Sequence, residues 1–269
     1  MDQSLYFSQN PLQLTTKPFH VASLFFENST RTRCSFEIAT HNLGHHFLHF
    51  PIESSSLKKG ETLLDTLKML AMMGTKAAII RHSDNSLIHE ITPHSPLSLI
   101  NAGSGTRHHP TQALLDMMTI FQEKKTLDNL HIVICGDIKH SRVAKSHIDL
   151  WKNFNSQISF CGPSALQIND SQDFTTALKT ADVVIMLRMQ FERHEMLNID
   201  TAHYNQHFGL NAHNIDLLKK DAIILHPGPY NIGIEITEDI VNHPKSRILK
   251  QVENGVYMRM SVLDFLLKE

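Results

Sequence analysis

The chain predicts an α/β protein built from two doubly wound parallel-sheet domains. Three observations carry that expectation. Apolar runs and helix-like stretches alternate from one end to the other. Several of the runs are continuously apolar, as in strands covered on both faces rather than one. The length, 269 residues, suits two modest domains. Alternation of this kind yields parallel sheets with helices packed on both sides.

Strands are expected at 20–26, 45–51, 76–81, 97–101, 131–136, 157–161, 182–187 and 222–226. Helices are expected between them at 31–43, 61–73, 110–123, 142–153 and 175–180, with a last one at 254–267. Only 19 residues precede His20, and Asn10-Pro11 with Lys17-Pro18 argue against a long helix there. The polar stretch 123–129 is the natural boundary, giving domains at 1–125 and 126–247, with 248–269 a C-terminal helix returning to the first domain. No internal repeat or low-complexity segment interrupts the pattern. Met69, Met72 and Met73 are spaced for a helix and read as core filling.

Composition narrows the function classes. A net charge of −2 gives no basic surplus for nucleic acid. Cys34, Cys135 and Cys161 form neither a disulfide framework nor a close-spaced metal pair, which suits a reducing cytoplasm. The start, Met1-Asp2-Gln3-Ser4, lacks a basic leader region, and no apolar run approaches a membrane span. His45, His46 and His49 look like a metal cluster. Strand alternation would point His46 away from the other two, so no metal is expected.

Seven motifs carry the candidate chemistry, each just after a strand or in a loop. Phe25-Phe26-Glu27-Asn28-Ser29-Thr30-Arg31-Thr32-Arg33 is the most informative. It joins a strand to a helix start and offers hydroxyls, guanidinium groups and free backbone N–H groups, which suits a phosphate. The Ser54–Thr62 stretch supplies Ser55, Lys58 and Lys59 on a loop able to close over an anion. Arg81-His82 ends a strand. His108-His109-Pro110-Thr111-Gln112 stands at a helix start with proline in the first turn, so His109 and Gln112 can reach a ligand. Gly136-Asp137, in the run to Arg142, lacks the glycine triplet of a dinucleotide turn, so no nicotinamide cofactor is expected. In Arg188-Met189-Gln190-Phe191-Glu192-Arg193, Arg188 and Gln190 share a side if extended. His226-Pro227-Gly228-Pro229-Tyr230-Asn231 is a stiff loop whose carbonyls could face a ligand.

In order and spacing, these motifs resemble the aspartate/ornithine carbamoyltransferase family from about Val21 to the C-terminus. The resemblance implies transfer of a carbamoyl group from carbamoyl phosphate to an amino acid amine, in pyrimidine biosynthesis if the acceptor is aspartate. It implies no cofactor, a site in the cleft between the domains and at a subunit interface, and a homotrimer. Regulatory chains stay an open alternative. Ser29, Thr30, Arg31 and Thr32 would bind the phosphate. Thr32, Arg81 and His109 would hold the carbamoyl oxygen, with Gln112 on the NH2 side. Arg142, Arg188 and Gln190 would clamp the aspartate carboxylates. Ser55 and Lys59 would come from a neighbouring subunit, Lys59 also serving aspartate. Pro227 and Gly228 would offer backbone contacts. Aspartate is favoured over ornithine because Arg188-Met189-Gln190 offers the wrong charge for an ammonium, and His226-Pro227-Gly228-Pro229 departs from the ornithine-type His-Cys-Leu-Pro. Ile232 stands where the family usually has arginine. A silent carbamoyltransferase-like binding protein and an ornithine enzyme are the alternatives.

Overall fold

A computed structural model describes residues 1–168, 171–190 and 200–268. The elements run α1 Asp2–Gln9, β1 His20–Phe25, α2 Thr30–Asn42, β2 His46–His49, α3 Leu63–Met72, β3 Thr75–His82, α4 Leu87–Ile91, β4 Ser98–Ser104 and α5 Pro110–Lys124. They continue with β5 His131–Cys135, α6 Arg142–Trp151, β6 Gln157–Cys161, α7 Phe174–Thr180, β7 Val183–Met186, α8 Thr201–Phe208, β8 Ile223–Leu225, α9 Glu238–Val241 and α10 Ile248–Leu267. All eight expected strands form. The chain divides into one unit of Met1–Met118 with Val252–Glu269 and another of Thr119–Gln251. Among the described residues no helix is long and apolar enough to cross a membrane.

The first unit holds a parallel sheet in the order β2-β1-β3-β4. Alternate residues of β1 and β3 enter opposite layers, as strand geometry requires. Val21, Ala77 and Ile79 pack with Phe36 and Ala39 of α2, Met260 and Leu263 of α10, and Phe7 of α1. Ala22, Leu24, Ala78 and Ile80 pack on the other face with Leu67 and Leu70 of α3 and Ile88 of α4. The sheet is therefore covered on both sides. Thr62 starts α3 by accepting from the Asp65 N–H at 3.1 Å while its hydroxyl donates to the Asp65 carboxylate at 2.7 Å.

The second unit repeats the plan with the order β6-β5-β7-β8, again all parallel. Val133, Cys135, Val184, Met186 and Ile224 form one layer with Phe174, Ala177 and Leu178 of α7. Asp173 caps α7 through the Thr176 N–H at 2.8 Å, which holds its carboxyl below the usual carboxylate range. Cys135 and Cys161 are buried opposite each other on β5 and β6, whereas Cys34 of α2 is exposed.

Two expectations need correction. Met72 and Met73 are 89% and 71% exposed and do not fill the core. Helix α3 ends at Met72, so the apolar face that Leu67 and Leu70 present has already been left behind. The last helix starts at Ile248, well before Asn254. Gly255 lies inside the helix, where a Cβ would stand 2.7 Å from Arg259 Nη1. His46 and His49 both lie in β2, three residues apart and so on opposite faces of the strand. His45 precedes β2, is buried, and accepts the Phe19 N–H at 3.2 Å; His49 meets Glu37 at 3.0 Å; His46 lies with its ring 5.0 Å from that of His20. Burial pushes His45 down from the ordinary imidazole range.

The prolines permit a short helix before β1. Helix α1 ends at Gln9, ahead of Pro11, and buries Phe7 against α10. Phe7→Ala should therefore lower unfolding free energy by about 3 kcal/mol in urea denaturation. Met72→Gln, at an exposed site, should stay within about 0.5 kcal/mol of the parent.

Candidate functional site

In the first unit the chain winds from β1 to β2 on one side and returns to place β3 on the other. Ligands in such sheets bind outside the carboxyl ends of the strands at that reversal. Two of the sequence motifs meet there. Phe25 pairs with Arg81, and the Phe26 N–H donates to the Arg81 carbonyl at 2.9 Å. Beyond it the chain turns into α2. Ser29 is the cap residue with extended backbone (φ −159°, ψ 90°), yet its hydroxyl makes no capping bond. That leaves a hydroxyl and first-turn N–H groups together at a helix start, where the dipole favours an anion. Arg31 is exposed and Thr32 is buried. The Ser35 hydroxyl donates to the Arg31 and Thr32 carbonyls at 2.7 and 3.0 Å, and so holds that first turn.

Arg81 is buried, and its guanidinium is fixed from two directions. Nη1 donates to the Ala102 carbonyl of β4 at 3.3 Å, and Nε lies 3.5 Å from Glu27. Glu27 sits inside the most informative motif, but sequence reading gave it no role. The β4–α5 connection then brings in His109. Gly105 adopts φ +44°, and a Cβ there would meet Asn85 Oδ1 at 2.2 Å and the Ser83 carbonyl at 2.7 Å. Asn85 in turn accepts the Thr106 N–H at 2.9 Å. His109 is buried directly before Pro110, and its carbonyl accepts the Gln112 N–H at 3.1 Å.

Gln112 Nε2 donates to Asp116 at 2.9 Å. That bond fixes the amide and leaves its oxygen as the acceptor. Asp116 is fully buried on the next turn of α5. Its charge faces Arg259 of α10, which is 3% exposed, donates to the Gly255 carbonyl at 3.0 Å, and lies 5.0 Å from the Phe36 ring. Burial pulls the Arg259 guanidinium down to about 10, and Asp116 opposes that fall. Sequence spacing could have found Asp116, four residues after Gln112. Nothing in the sequence links it to Arg259.

Ser55 and Lys59 lie after β2, at the edge of the sheet. The Ser55 hydroxyl donates to the Ile52 carbonyl at 2.8 Å, and Lys59 is exposed at the end of a 3-10 turn closed by Gly60 at φ +92°.

The second unit has the same reversal between β5 and β7. Gly136 follows β5 at φ +121°, where a Cβ would stand 3.0 Å from the Leu187 carbonyl. Asp137 is fully buried and accepts the His140 N–H at 3.1 Å and the ring Nδ1 at 3.0 Å. Ser141 caps α6 through the Ala144 N–H at 3.2 Å, which makes Arg142 the first helical residue. Across the reversal, Arg188 and Gln190 are half-buried on either side of Met189, which packs with Leu166 and Tyr204. Phe191, Glu192 and Arg193 of that motif lie outside the described residues. Pro227 and Gly228 are half-buried after β8, with Gly228 at φ +58°. Ile232 is 51% exposed.

Residues 2–122 match the family model described as the carbamoyl-P binding domain of aspartate/ornithine carbamoyltransferase, and residues 128–266 match its Asp/Orn binding domain. The chain is 44% identical over 255 residues to the aspartate carbamoyltransferase catalytic subunit of Staphylococcus saprophyticus, covering 92% of this chain and 85% of that one. It is 42% identical over 265 residues to the Staphylococcus carnosus catalytic subunit, covering 96% and 86%. Among solved structures it resembles Trypanosoma cruzi aspartate transcarbamoylase in complex with N-(phosphonacetyl)-L-aspartic acid, with a TM-score of 0.88, 28% identity, and coverage of 97% and 87%. The complex of that enzyme with carbamoyl phosphate and aspartate gives a TM-score of 0.86 at 28% identity, with the same coverage.

Asp116→Ala should destabilise the fold by about 3–5 kcal/mol in urea unfolding, because it strands a buried guanidinium. Asp116→Ala with Arg259→Met should recover part of that loss, since the double variant no longer buries an uncompensated guanidinium.

Proposed function

The chain belongs to the aspartate/ornithine carbamoyltransferase family, and we propose that it is an aspartate carbamoyltransferase that works through the residues gathered at its two sheet reversals. The reaction transfers the carbamoyl group of carbamoyl phosphate to the amine of L-aspartate. N-carbamoyl-L-aspartate and phosphate are the products, as in pyrimidine biosynthesis. The observation that carries this reading is similarity, across both units, to chains named for aspartate. The Arg142, Arg188 and Gln190 set supports it, being suited to a dicarboxylate acceptor and unsuited to a second ammonium.

In this reading the first unit binds carbamoyl phosphate and the second binds aspartate. Ser29, Thr30, Arg31 and Thr32 hold the phosphate at the start of α2. Arg81, His109 and Thr32 donate to the carbamoyl oxygen. Gln112, its Nε2 already given to Asp116, presents its amide oxygen to the carbamoyl NH2. Arg142, Arg188 and Gln190 clamp the two carboxylates, and Pro227 and Gly228 add backbone contacts. The neutral amine attacks the carbamoyl carbon, a C–N bond forms and the C–O bond to phosphate breaks. The departing phosphate takes the amine proton, so no protein base is needed. Arg81 is held before substrate arrives, and a donor that need not reorganise stabilises the developing oxyanion most effectively. Positioning two reactants supplies the rest.

Lys59 is exposed and Ser55 half-buried on the stretch after β2, which suits a role for Lys59 in a neighbour's site. A homotrimer with shared sites, working in the cytoplasm, is part of this proposal and rests on the family resemblance.

Carbamoylaspartate formation with aspartate, and none of the corresponding product with ornithine, is the expected outcome of the first assay. Product from ornithine alone would reverse the substrate assignment. Arg81→Ala should lower kcat by about a hundredfold with the fold intact by circular dichroism. Arg188→Ala should raise the aspartate KM by at least about tenfold while leaving that for carbamoyl phosphate unchanged. Mixing Lys59→Ala and Arg31→Ala chains should restore activity that neither shows alone; mixed trimers without recovery would rule out shared sites.

A further inference from the structure

The second unit contains a buried carboxylate that the reaction does not use. Glu235 has no exposed surface. Its backbone is anchored, because its carbonyl accepts the Leu210 N–H at 3.0 Å and the neighbouring Ile234 carbonyl accepts from Asn205 Nδ2 at 2.9 Å. The side chain stands where several donors converge. Oε1 accepts the Asn231 backbone N–H at 2.6 Å. Oε2 accepts from Asn231 Nδ2 at 3.3 Å and from the Met189 N–H at 3.5 Å. His226 Nε2 lies 3.4 Å from Oε1. The other ring nitrogen of His226 accepts the Gly228 N–H at 2.9 Å, so the neutral ring carries its proton on Nε2, facing Glu235. Asn231 closes the ring by donating Nδ2 to the Met189 carbonyl at 3.0 Å.

These donors come from two loops. One carries Arg188 and Gln190 on either side of Met189. The other runs from His226 through Pro227 and Gly228 to Asn231. A carboxylate only accepts, and each short bond to it is charge-assisted. An amide of the same shape would turn an NH2 group against one of the donors. The site thus calls for Glu by charge, not merely by size.

We propose that Glu235 is a positioning residue for the amino acid substrate, its carboxylate fixing the spacing between the loop bearing Arg188 and Gln190 and the loop bearing Pro227 and Gly228. The inference rests on the aspartate reading of those loops. Glu235 does not touch substrate. It acts through Met189, Asn231 and His226, and its effect falls on aspartate rather than on carbamoyl phosphate, which the first unit binds.

The test compares the parent chain with Glu235→Gln and Glu235→Asp. In Glu235→Gln the KM for aspartate should rise about tenfold, with the KM for carbamoyl phosphate unchanged, because a small displacement of a clamp costs binding steeply. Glu235→Asp, which keeps an accept-only group, should recover part of the loss. Amide hydrogen exchange across residues 187–190 should quicken in Glu235→Gln. An unchanged aspartate KM would overturn the proposal, as would equal changes in both KM values accompanied by a lower melting temperature. The exchange measurement needs no substrate, so it separates the two ideas. A parent chain that does not saturate with aspartate overturns the functional reading, and unchanged exchange in Glu235→Gln overturns the positioning role of Glu235.

Discussion

Each unit depends on the reversal of strand order beside its first strand. Connections leaving β1 and β3 depart to opposite faces of their sheet, α2 lying with one layer and α3 and α4 with the other. Two adjacent strand ends are thereby left without a covering element between them, and the backbone groups and side chains there are available to a ligand. Buried parallel strands require this winding, since helical crossovers must cover both faces. The chemistry is placed by the same constraint that protects the core. Arg81 shows the economy of the arrangement: it is a strand residue paired with Phe25, and one residue of extension turns it into a donor at the opening.

A second theme is the use of buried charge to hold polar side chains in one orientation. Asp116 fixes the Gln112 amide and its charge favours the Arg259 guanidinium, and Glu235 gathers donors from two loops. Such groups are costly to remove from water and are tolerated only when their hydrogen bonds are met. What they return is definition. A glutamine whose Nε2 is already bound presents its oxygen, not its nitrogen, to whatever lies beyond. Gly255 belongs to this scheme, since it accepts the entropic penalty of a helical glycine to leave room for the Arg259 guanidinium.

Much of the architecture is legible in the sequence because burial on both faces writes itself as unbroken apolar runs. Ile132 to Cys135 and Val183 to Met186 can be little else. The short helices α1, α4, α8 and α9 carry too few turns for a periodic signal, and α1 buries only Ser4 and Phe7. Met72 and Met73 mislead because spacing alone does not say where a helix stops. Sequence also places Ser29, Arg81, His109, Arg142, Arg188 and Pro227 at strand ends or helix starts, where the structure puts them. Their supports stay hidden. Glu27 and Arg81, Asp116 and Arg259, and Glu235 and Met189 are joined only by folding, across separations that no local pattern spans.

The unequal exposure of the three cysteines makes the molecule its own instrument. Cys135 and Cys161 are sealed in the second sheet, while Cys34 looks out from the first turns of α2, beside Arg33. A maleimide dye under native conditions would therefore attach at one address, without any engineered residue. That address is close to the helix start proposed to hold the phosphate, so the dye's emission would test occupancy there in real time. The same address is where an electrophile or oxidant in the surroundings would leave its mark first.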